Sequence, residues 1–163
     1  MALFYLDTSA IIKRHRVEKG TEILDQLLSV QPHDRFYTSF LSVLELTSAV
    51  MRLAKGGLAE NAATEILARF RLDVRDRLRV WPVDDEVMRS AVQVVERHRL
   101  RSGDAIHLAT AQGIFSVISG QQAVMVSSDK ELLAAATASG LSTLVPEDSD
   151  SLESLARLRA SER

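Results

Sequence analysis

The sequence predicts an α/β protein built on a parallel sheet, and three observations indicate it. Short apolar runs of strand length alternate along the chain with longer amphipathic segments of helical periodicity. The first run, Leu3–Leu6, has no polar alternation, as expected of a central strand buried on both faces. The 163 residues are enough for one domain with a substantial core. We therefore expect a parallel sheet with helices on both faces.

The N-terminal half is predicted to contain two strands and four helices. The strands are Leu3–Leu6 and Arg35–Thr38, and the helices are Ser9–Arg16, Thr21 to near Pro32, the segment between Ser39 and Gly56, and Ala59–Asp76. Apolar side chains recur every three or four residues in the helices, as Ile66, Leu67 and Phe70 do in the fourth. A serine at position 39 favours a helix start, and glycines at 56 and 57 favour a helix end.

The C-terminal half is predicted to contain three strands and three helices. The strands are Leu78–Val83, Ala123–Val126 and Ser142–Val145, and the helices start at Asp84 or Asp85, at Ser102–Gly103 and at Asp129, the last ending near Ala138. Pro82 indicates an edge position for the third strand, because proline has no amide hydrogen for the sheet ladder. We expect residues 1–146 to form the domain, and residues 147–163 a tail with at most one weak helix that is not a separate domain.

The composition excludes several classes of protein. The formal net charge of -2 is far from that of a strongly basic DNA-binding domain. The absence of cysteine excludes disulfides, thiol catalysis and cysteine metal sites. No stretch is long and apolar enough to span a membrane, and Asp7 interrupts the first apolar run too early for a secretory leader. We therefore expect a cytoplasmic protein that does not contact membranes.

Four acidic residues stand out by their positions. Asp7 ends the first strand, Asp104 lies in the first turn of the sixth helix, and Asp129 opens the seventh helix just after the fourth strand. Glu45 lies close to the apolar face of the third helix, where a glutamate is costly unless it is paired or bound to metal. Taken singly, each of the three aspartates is better explained as a helix cap, and Glu45 is consistent with partial exposure. Taken together, they are expected to meet at one edge of the sheet.

A cluster of carboxylates at one edge suits a hard divalent cation. Magnesium prefers oxygen ligands and takes a few carboxylates while it keeps several waters. Crowded carboxylates repel one another, and a bound cation removes that repulsion. The cation would also lower the pKa of a coordinated water and stabilise charge on a phosphate. The pattern therefore favours metal-dependent cleavage of phosphodiester bonds.

Four segments resemble those of one known family, in the same order along the chain. They are LFYLDTSAIIK with Asp7, SFLSVLEL with Glu45, LRSGDAIHLATA with Asp104, and VMVSSDKELLAAATASGLSTLVP with Asp129. With these segments the chain resembles a PIN domain, specifically of the VapC toxin ribonuclease type, from about Leu3 to Pro146. The resemblance implies a three-layer α/β/α fold whose five parallel strands have the order 3-2-1-4-5.

The resemblance also implies a function and a site. It implies a magnesium- or manganese-dependent endoribonuclease, the toxin of a toxin–antitoxin pair, that cleaves RNA, is held inactive by a small VapB-like antitoxin and pairs as a homodimer. The metal ligands and catalytic residues would be Asp7, Glu45, Asp104 and Asp129, with Thr8 and Ser127 as auxiliary cofactor-binding groups. A PIN scaffold that binds RNA or protein without cutting is the alternative, although it would be expected to lose one or more of these acids.

Other polar and aromatic residues are given structural interpretations. His107, three residues after Asp104, has the chemistry of a ligand or base, but we favour a partly buried helix histidine with a backbone partner. The basic run from Lys13 to Arg16 is either a solvated helix face or an RNA contact, with the first at least as favoured. Arginines 69 to 79, interleaved with Asp73 and Asp76, indicate surface charge. Trp81 is expected to anchor the edge strand, and core or dimer contacts are expected at Phe40, Met51 and Phe70.

Overall fold

A computed structural model describes residues 2–29, 34–118 and 121–160. These residues form a five-stranded sheet of order β3-β2-β1-β4-β5, in which every neighbouring pair is parallel. The strands are β1 (Ala2–Leu6), β2 (Arg35–Ser39), β3 (Leu78–Trp81), β4 (Gln122–Val126) and β5 (Ser142–Leu144). The predicted fold class and strand order are confirmed, and β3 is an edge strand as Pro82 indicated.

Helices cover both faces of the sheet. They are α1 (Thr8–His15), α2 (Thr21–Leu27), α3 (Phe40–Lys55), α4 (Glu60–Asp76), α5 (Asp85–His98), α6 (Ser102–Val117), α7 (Lys130–Ala138) and α8 (Ser151–Ala160). The central strand β1 divides the core into two clusters, because successive side chains of a strand point to opposite faces. Phe4 and Leu6 pack with α1 to α4 and α8, whereas Leu3 and Tyr5 pack with α5 to α7. In the part of the chain that is described, no helix is long and apolar enough to cross a membrane.

Side-chain caps start four of the helices. The side chains of Asp7, Ser39, Asp84 and Asp129 each accept a hydrogen bond from the backbone N–H three residues further on. This is the usual N-cap arrangement, which satisfies one of the amide groups left free at a helix start. Two of the four predicted acids, Asp7 and Asp129, are therefore helix caps as well as strand-end residues.

Two predicted boundaries are wrong. Helix α2 ends at Leu27, sooner than the predicted end near Pro32, which lies outside the described residues. Strand β3 ends at Trp81 and not at Val83, because proline at position 82 has no amide hydrogen to extend the ladder. Trp81 packs against the second core cluster, which agrees with its interpretation as an edge-strand anchor.

The basic run of α1 is partly buried, whereas the five arginines between positions 69 and 79 are exposed, as their interpretation as surface charge predicts. Lys13 and His15 are buried, and Asp73, expected on the surface, is only 6% exposed. Arg14 Nε donates to Asp73 Oδ2 at 2.7 Å, and Lys13 Nζ lies 2.6 Å from Glu147 Oε1. These side chains are shielded from solvent because α1 packs against α2, α3 and α4. The ion pairs compensate for the hydration that the charged groups lose. Lys13 and His15 are therefore neither a solvated face nor available to RNA, whereas Arg16 of the same run is exposed.

The segment after Pro146 packs on the domain. Helix α8 places Leu155, which is 2% exposed, in the first core cluster. Arg159 Nε donates to Asp34 Oδ2 at 2.8 Å, just before β2. Residues of the predicted tail thus contribute to the same core as α1 to α4.

Candidate active site

All four predicted acids line one cavity of about 680 Å³ at the carboxyl-terminal edge of the sheet. Asp7 follows β1 and Asp129 follows β4, and the two residues are close because these strands are paired in parallel. Glu45 reaches the cavity from the second turn of α3, and Asp104 reaches it from the first turn of α6. The structure thus brings the four carboxylates together, and their roles as metal ligands stay a prediction.

Asp7 is buried and tightly hydrogen-bonded. The N–H of Ala10 donates to Oδ1 at 2.8 Å, and the hydroxyl of Ser127 donates to Oδ2 at 2.7 Å. Ser9 Oγ lies 2.8 Å from Oδ1 and also accepts a hydrogen bond from the Ser128 amide at 2.9 Å. Burial raises the pKa of Asp7, while the hydrogen bonds favour its ionised form and oppose that shift. One carboxylate therefore joins the end of β1, the start of α1 and the turn after β4.

Glu45 is half-buried, and two donors converge on one of its oxygens. Thr8 donates its hydroxyl hydrogen to Oε2, and His107 Nε2 lies 3.1 Å from the same oxygen. The hydrogen bond from His107 is the main reason that the pKa of Glu45 is lowered, with Thr8 contributing and partial burial opposing. The glutamate is therefore held as a carboxylate in a defined position.

The negative charges of Asp104 and Asp129 repel each other in this cavity. Asp129 Oδ1 accepts the Leu132 N–H at 2.9 Å, whereas the Asp104 carboxylate has no hydrogen-bond partner among the described residues. Burial raises the pKa of Asp104, and the negative charges of Asp129 and Asp7 raise it further. The cavity is thus an environment in which an added positive charge would be stabilised.

The donor set fits magnesium or manganese. In the described ranges, no three His, Cys, Asp or Glu side chains come close enough to hold one ion among them directly. Magnesium is usually held by one or two carboxylates and keeps several of its waters, so it needs no such protein cage. Four hard oxygen donors around a cavity wide enough for water match a hydrated ion of this kind.

The two predicted auxiliary groups both act on the acids. Ser127 is fully buried, donates to Asp7 and accepts the Asp129 backbone N–H at 3.0 Å, so it connects the Asp7 carboxylate to the backbone of Asp129. Thr8 instead contacts Glu45. Each hydroxyl therefore orders an acid, which is a role that does not require direct contact with a metal.

Sequence reasoning missed three residues at this site. It gave Ser9 no role beyond the start of the first helix, although a hydroxyl two residues after Asp7 can turn back to that carboxylate. Arg52 lines the same cavity, and its spacing of seven residues from Glu45 places both on one face of α3. His107 is a buried helix residue, as predicted, but the predicted backbone partner is wrong, because its partners are the side chains of Tyr5 and Glu45.

Comparison with known proteins agrees with this architecture. The PIN domain family model matches residues 4–138. Ribonuclease VapC35 of Mycobacterium tuberculosis is 35% identical over 144 residues, which are 88% of this chain and 97% of that protein. FitAcB from Neisseria gonorrhoeae superposes with a TM-score of 0.65 at 20% identity, over 88% of this chain and 97% of that one. A toxin–antitoxin complex from Klebsiella pneumoniae gives a TM-score of 0.59 at 16% identity, over 90% and 98%. The chain belongs to the PIN-domain family.

Proposed function

We propose that this chain is a metal-dependent endoribonuclease that hydrolyses RNA phosphodiester bonds, and that it is the toxin of a toxin–antitoxin pair. The convergence of Asp7, Glu45, Asp104 and Asp129 on one cavity carries the proposal. The name of the 35% identical relative, a ribonuclease, supports RNA as the substrate. A cytoplasmic location is proposed with it, since a chain without cysteine suits a reducing compartment that contains RNA.

The four acids would contribute to metal binding in different ways, because some are fixed in advance and one is free to move. A bound Mg²⁺ or Mn²⁺ would activate water and offset the charge that develops on the phosphate. Asp7 is fixed by its three hydrogen bonds, and Glu45 is fixed by Thr8 and His107, so neither needs to reorganise when a cation binds. Asp104 has a free carboxylate that can turn toward the ion. Pre-organised charge of this kind is the usual source of electrostatic catalysis.

Arg52 is suited to hold the RNA itself. Its exposed guanidinium belongs to the cavity wall and makes no ion pair among the described residues. Guanidinium groups bind phosphate through two parallel hydrogen bonds. We therefore place a phosphate of the RNA backbone beside α3, with the acids next to it.

Asp7→Asn and Asp104→Asn are expected to lower RNA cleavage by roughly 10²-fold or more, because each removes a charge while keeping the side-chain volume. Cleavage of a labelled RNA is measured with added Mg²⁺ or Mn²⁺ and again with a chelator, which should abolish it. Asp84→Asn is the matched control, since Asp84 caps α5 as Asp7 caps α1 but does not line the cavity. If purified Asp7→Asn protein cleaves RNA at the wild-type rate, with contaminating nuclease excluded, the proposal is contradicted and a non-catalytic scaffold is favoured.

A homodimer is the second part of the proposal. Phe40 and Met51, on α3, are 64% and 55% exposed, whereas Phe70 of α4 is buried in the core. Apolar side chains this exposed on one helix are typical of an interaction surface. The pairing face is therefore assigned to α3, and Phe70 is a core residue, which is one of the two roles expected of it.

Light scattering at micromolar concentration is expected to give the mass of two chains. The double variant Phe40→Lys with Met51→Lys should give one chain, because two charges would be buried at the interface. Val17→Lys serves as the control, since Val17 is a fully exposed valine on the loop after α1. A monomeric wild-type protein contradicts this part of the proposal.

The third part concerns control by an antitoxin. One structural neighbour is a toxin–antitoxin complex, which supports a small partner for this chain. An arginine or lysine from an extended C-terminal segment of that partner would be attracted to the four carboxylates and would compete with the metal for their oxygens. The exposed Leu44 at the rim of the cavity offers an apolar contact for the same segment.

Inhibition by the product of a neighbouring small gene should weaken as Mg²⁺ or Mn²⁺ is raised, because the metal and the basic side chain compete. Replacing the basic residues of its C-terminal segment by glutamine should release cleavage. The same replacements in its N-terminal half are the control and should leave inhibition intact. Inhibition by a basic side chain among the four carboxylates is ruled out if inhibition persists without any basic residue in the C-terminal segment of the antitoxin. It is also ruled out if no neighbouring product binds.

A further inference from the structure

His107 connects the core of the protein to the acid cavity. It lies on α6, one turn after Asp104, and is 3% exposed. Its Nδ1 lies 2.9 Å from the Tyr5 hydroxyl, and its Nε2 lies 3.1 Å from Glu45 Oε2. The ring therefore bridges the central strand β1 and helix α3 through side chains alone.

The donors and acceptors around the ring determine which nitrogen carries its hydrogen. A carboxylate can only accept, so the contact with Glu45 requires a hydrogen on Nε2. A neutral imidazole has one N–H, which leaves Nδ1 as an acceptor. Tyr5 is fully buried and its pKa is raised by that burial, so its hydroxyl keeps its hydrogen and can donate it to Nδ1. The Tyr5 hydroxyl thus donates a hydrogen bond to Nδ1 of His107, and Nε2–H of His107 donates one to Glu45.

We infer that His107 is the positioning residue for Glu45, held by Tyr5 in the tautomer whose Nε2–H fixes one oxygen of that glutamate. The inference rests on the proposed function, because Glu45 binds a metal only if the protein is the metal-dependent nuclease proposed above. His107 itself would touch neither metal nor RNA.

The two oxygens of Glu45 support this division of roles. Oε2 receives both the Thr8 hydroxyl and the His107 ring. Oε1 lies beside Gly103 in the first turn of α6 and accepts no hydrogen bond from a described residue. A glutamate loses considerable side-chain freedom when it is fixed in one geometry. Anchoring Oε2 in advance therefore leaves Oε1 ready for a cation without that loss.

Thr8 alone is the competing explanation. Its hydroxyl reaches the same Oε2 oxygen, and it also lies 3.5 Å from His107 Nε2. If Thr8 were sufficient, the ring would only fill space between α6 and β1. Variants that keep or remove the ring N–H while Thr8 is intact separate these two cases.

The first test is the tautomer, read from ¹⁵N spectra of histidine-labelled protein without metal or RNA. The expected result is a hydrogen on Nε2 and none on Nδ1 of His107. A neutral ring with its hydrogen on Nδ1 would overturn the inference, because Nε2 could not then donate to Glu45. This measurement does not depend on nuclease activity.

The second test compares Mn²⁺ affinity by calorimetry and the Mn²⁺ dependence of cleavage in two variants. His107→Leu removes the N–H and should weaken Mn²⁺ binding about tenfold or more, as loss of a group that orients a metal ligand usually does. At saturating Mn²⁺ its kcat should be largely kept. His107→Gln places an amide N–H near Nε2 and should recover most of the affinity. His98→Leu, at a histidine of α5 that does not line the cavity, is the control.

The outcomes separate the inference from the proposed function. Equal Mn²⁺ affinity in wild type and His107→Leu, or an equal loss in His107→Leu and His107→Gln, would overturn the inference. If His107→Leu does not fold, His107→Gln and the wild-type tautomer decide it. A wild-type protein that neither binds Mn²⁺ nor cleaves RNA overturns the proposed function and the metal-facing role of Glu45 with it. The tautomer would then still report whether the His107–Glu45 hydrogen bond exists.

Discussion

The buried carboxylate of Asp7 is the constraint on which the rest of the site depends. An isolated charge in this position would be costly, so the surrounding chain supplies it with donors. Ala10 donates from the start of α1, Ser127 donates from the turn after β4, and Ser9 connects the two segments. The same contacts cap α1 and fix the turn that carries Asp129. One set of hydrogen bonds therefore fixes the position of Asp7, the start of α1 and the turn that carries Asp129.

Glu45 and Asp104 lie in contrasting electrostatic environments. Glu45 has its pKa lowered, first by the hydrogen bond from His107, and is held as an anion. Asp104 has its pKa raised by burial and by the charges of Asp129 and Asp7. The site thus combines the anchored carboxylates of Asp7 and Glu45 with the Asp104 carboxylate, which has no hydrogen-bond partner among the described residues and lies near two other negative charges. A divalent cation bound as proposed would relieve that repulsion without moving the anchored residues.

Much of this could be predicted from local sequence, and the rest depends on contacts between distant segments. The uninterrupted run Leu3–Leu6, ended by Asp7, was enough to predict a central strand with an acid at its carboxyl end. The burial of Lys13 could not be predicted, because its partner Glu147 lies beyond the last strand and reaches α1 only in the folded chain. His107 is similar, since its partners Tyr5 and Glu45 are 102 and 62 residues away. Helical periodicity carries no information on such pairs.

The most direct test of the central claim, that these acids form a metal site, is anomalous diffraction from crystals of the protein soaked in Mn²⁺. The account predicts a Mn²⁺ peak in the cavity between Asp7, Glu45, Asp104 and Asp129, and its loss in crystals of Asp104→Asn. Mn²⁺ density found only elsewhere on the protein, or a cavity without Mn²⁺ at millimolar concentration, would contradict it.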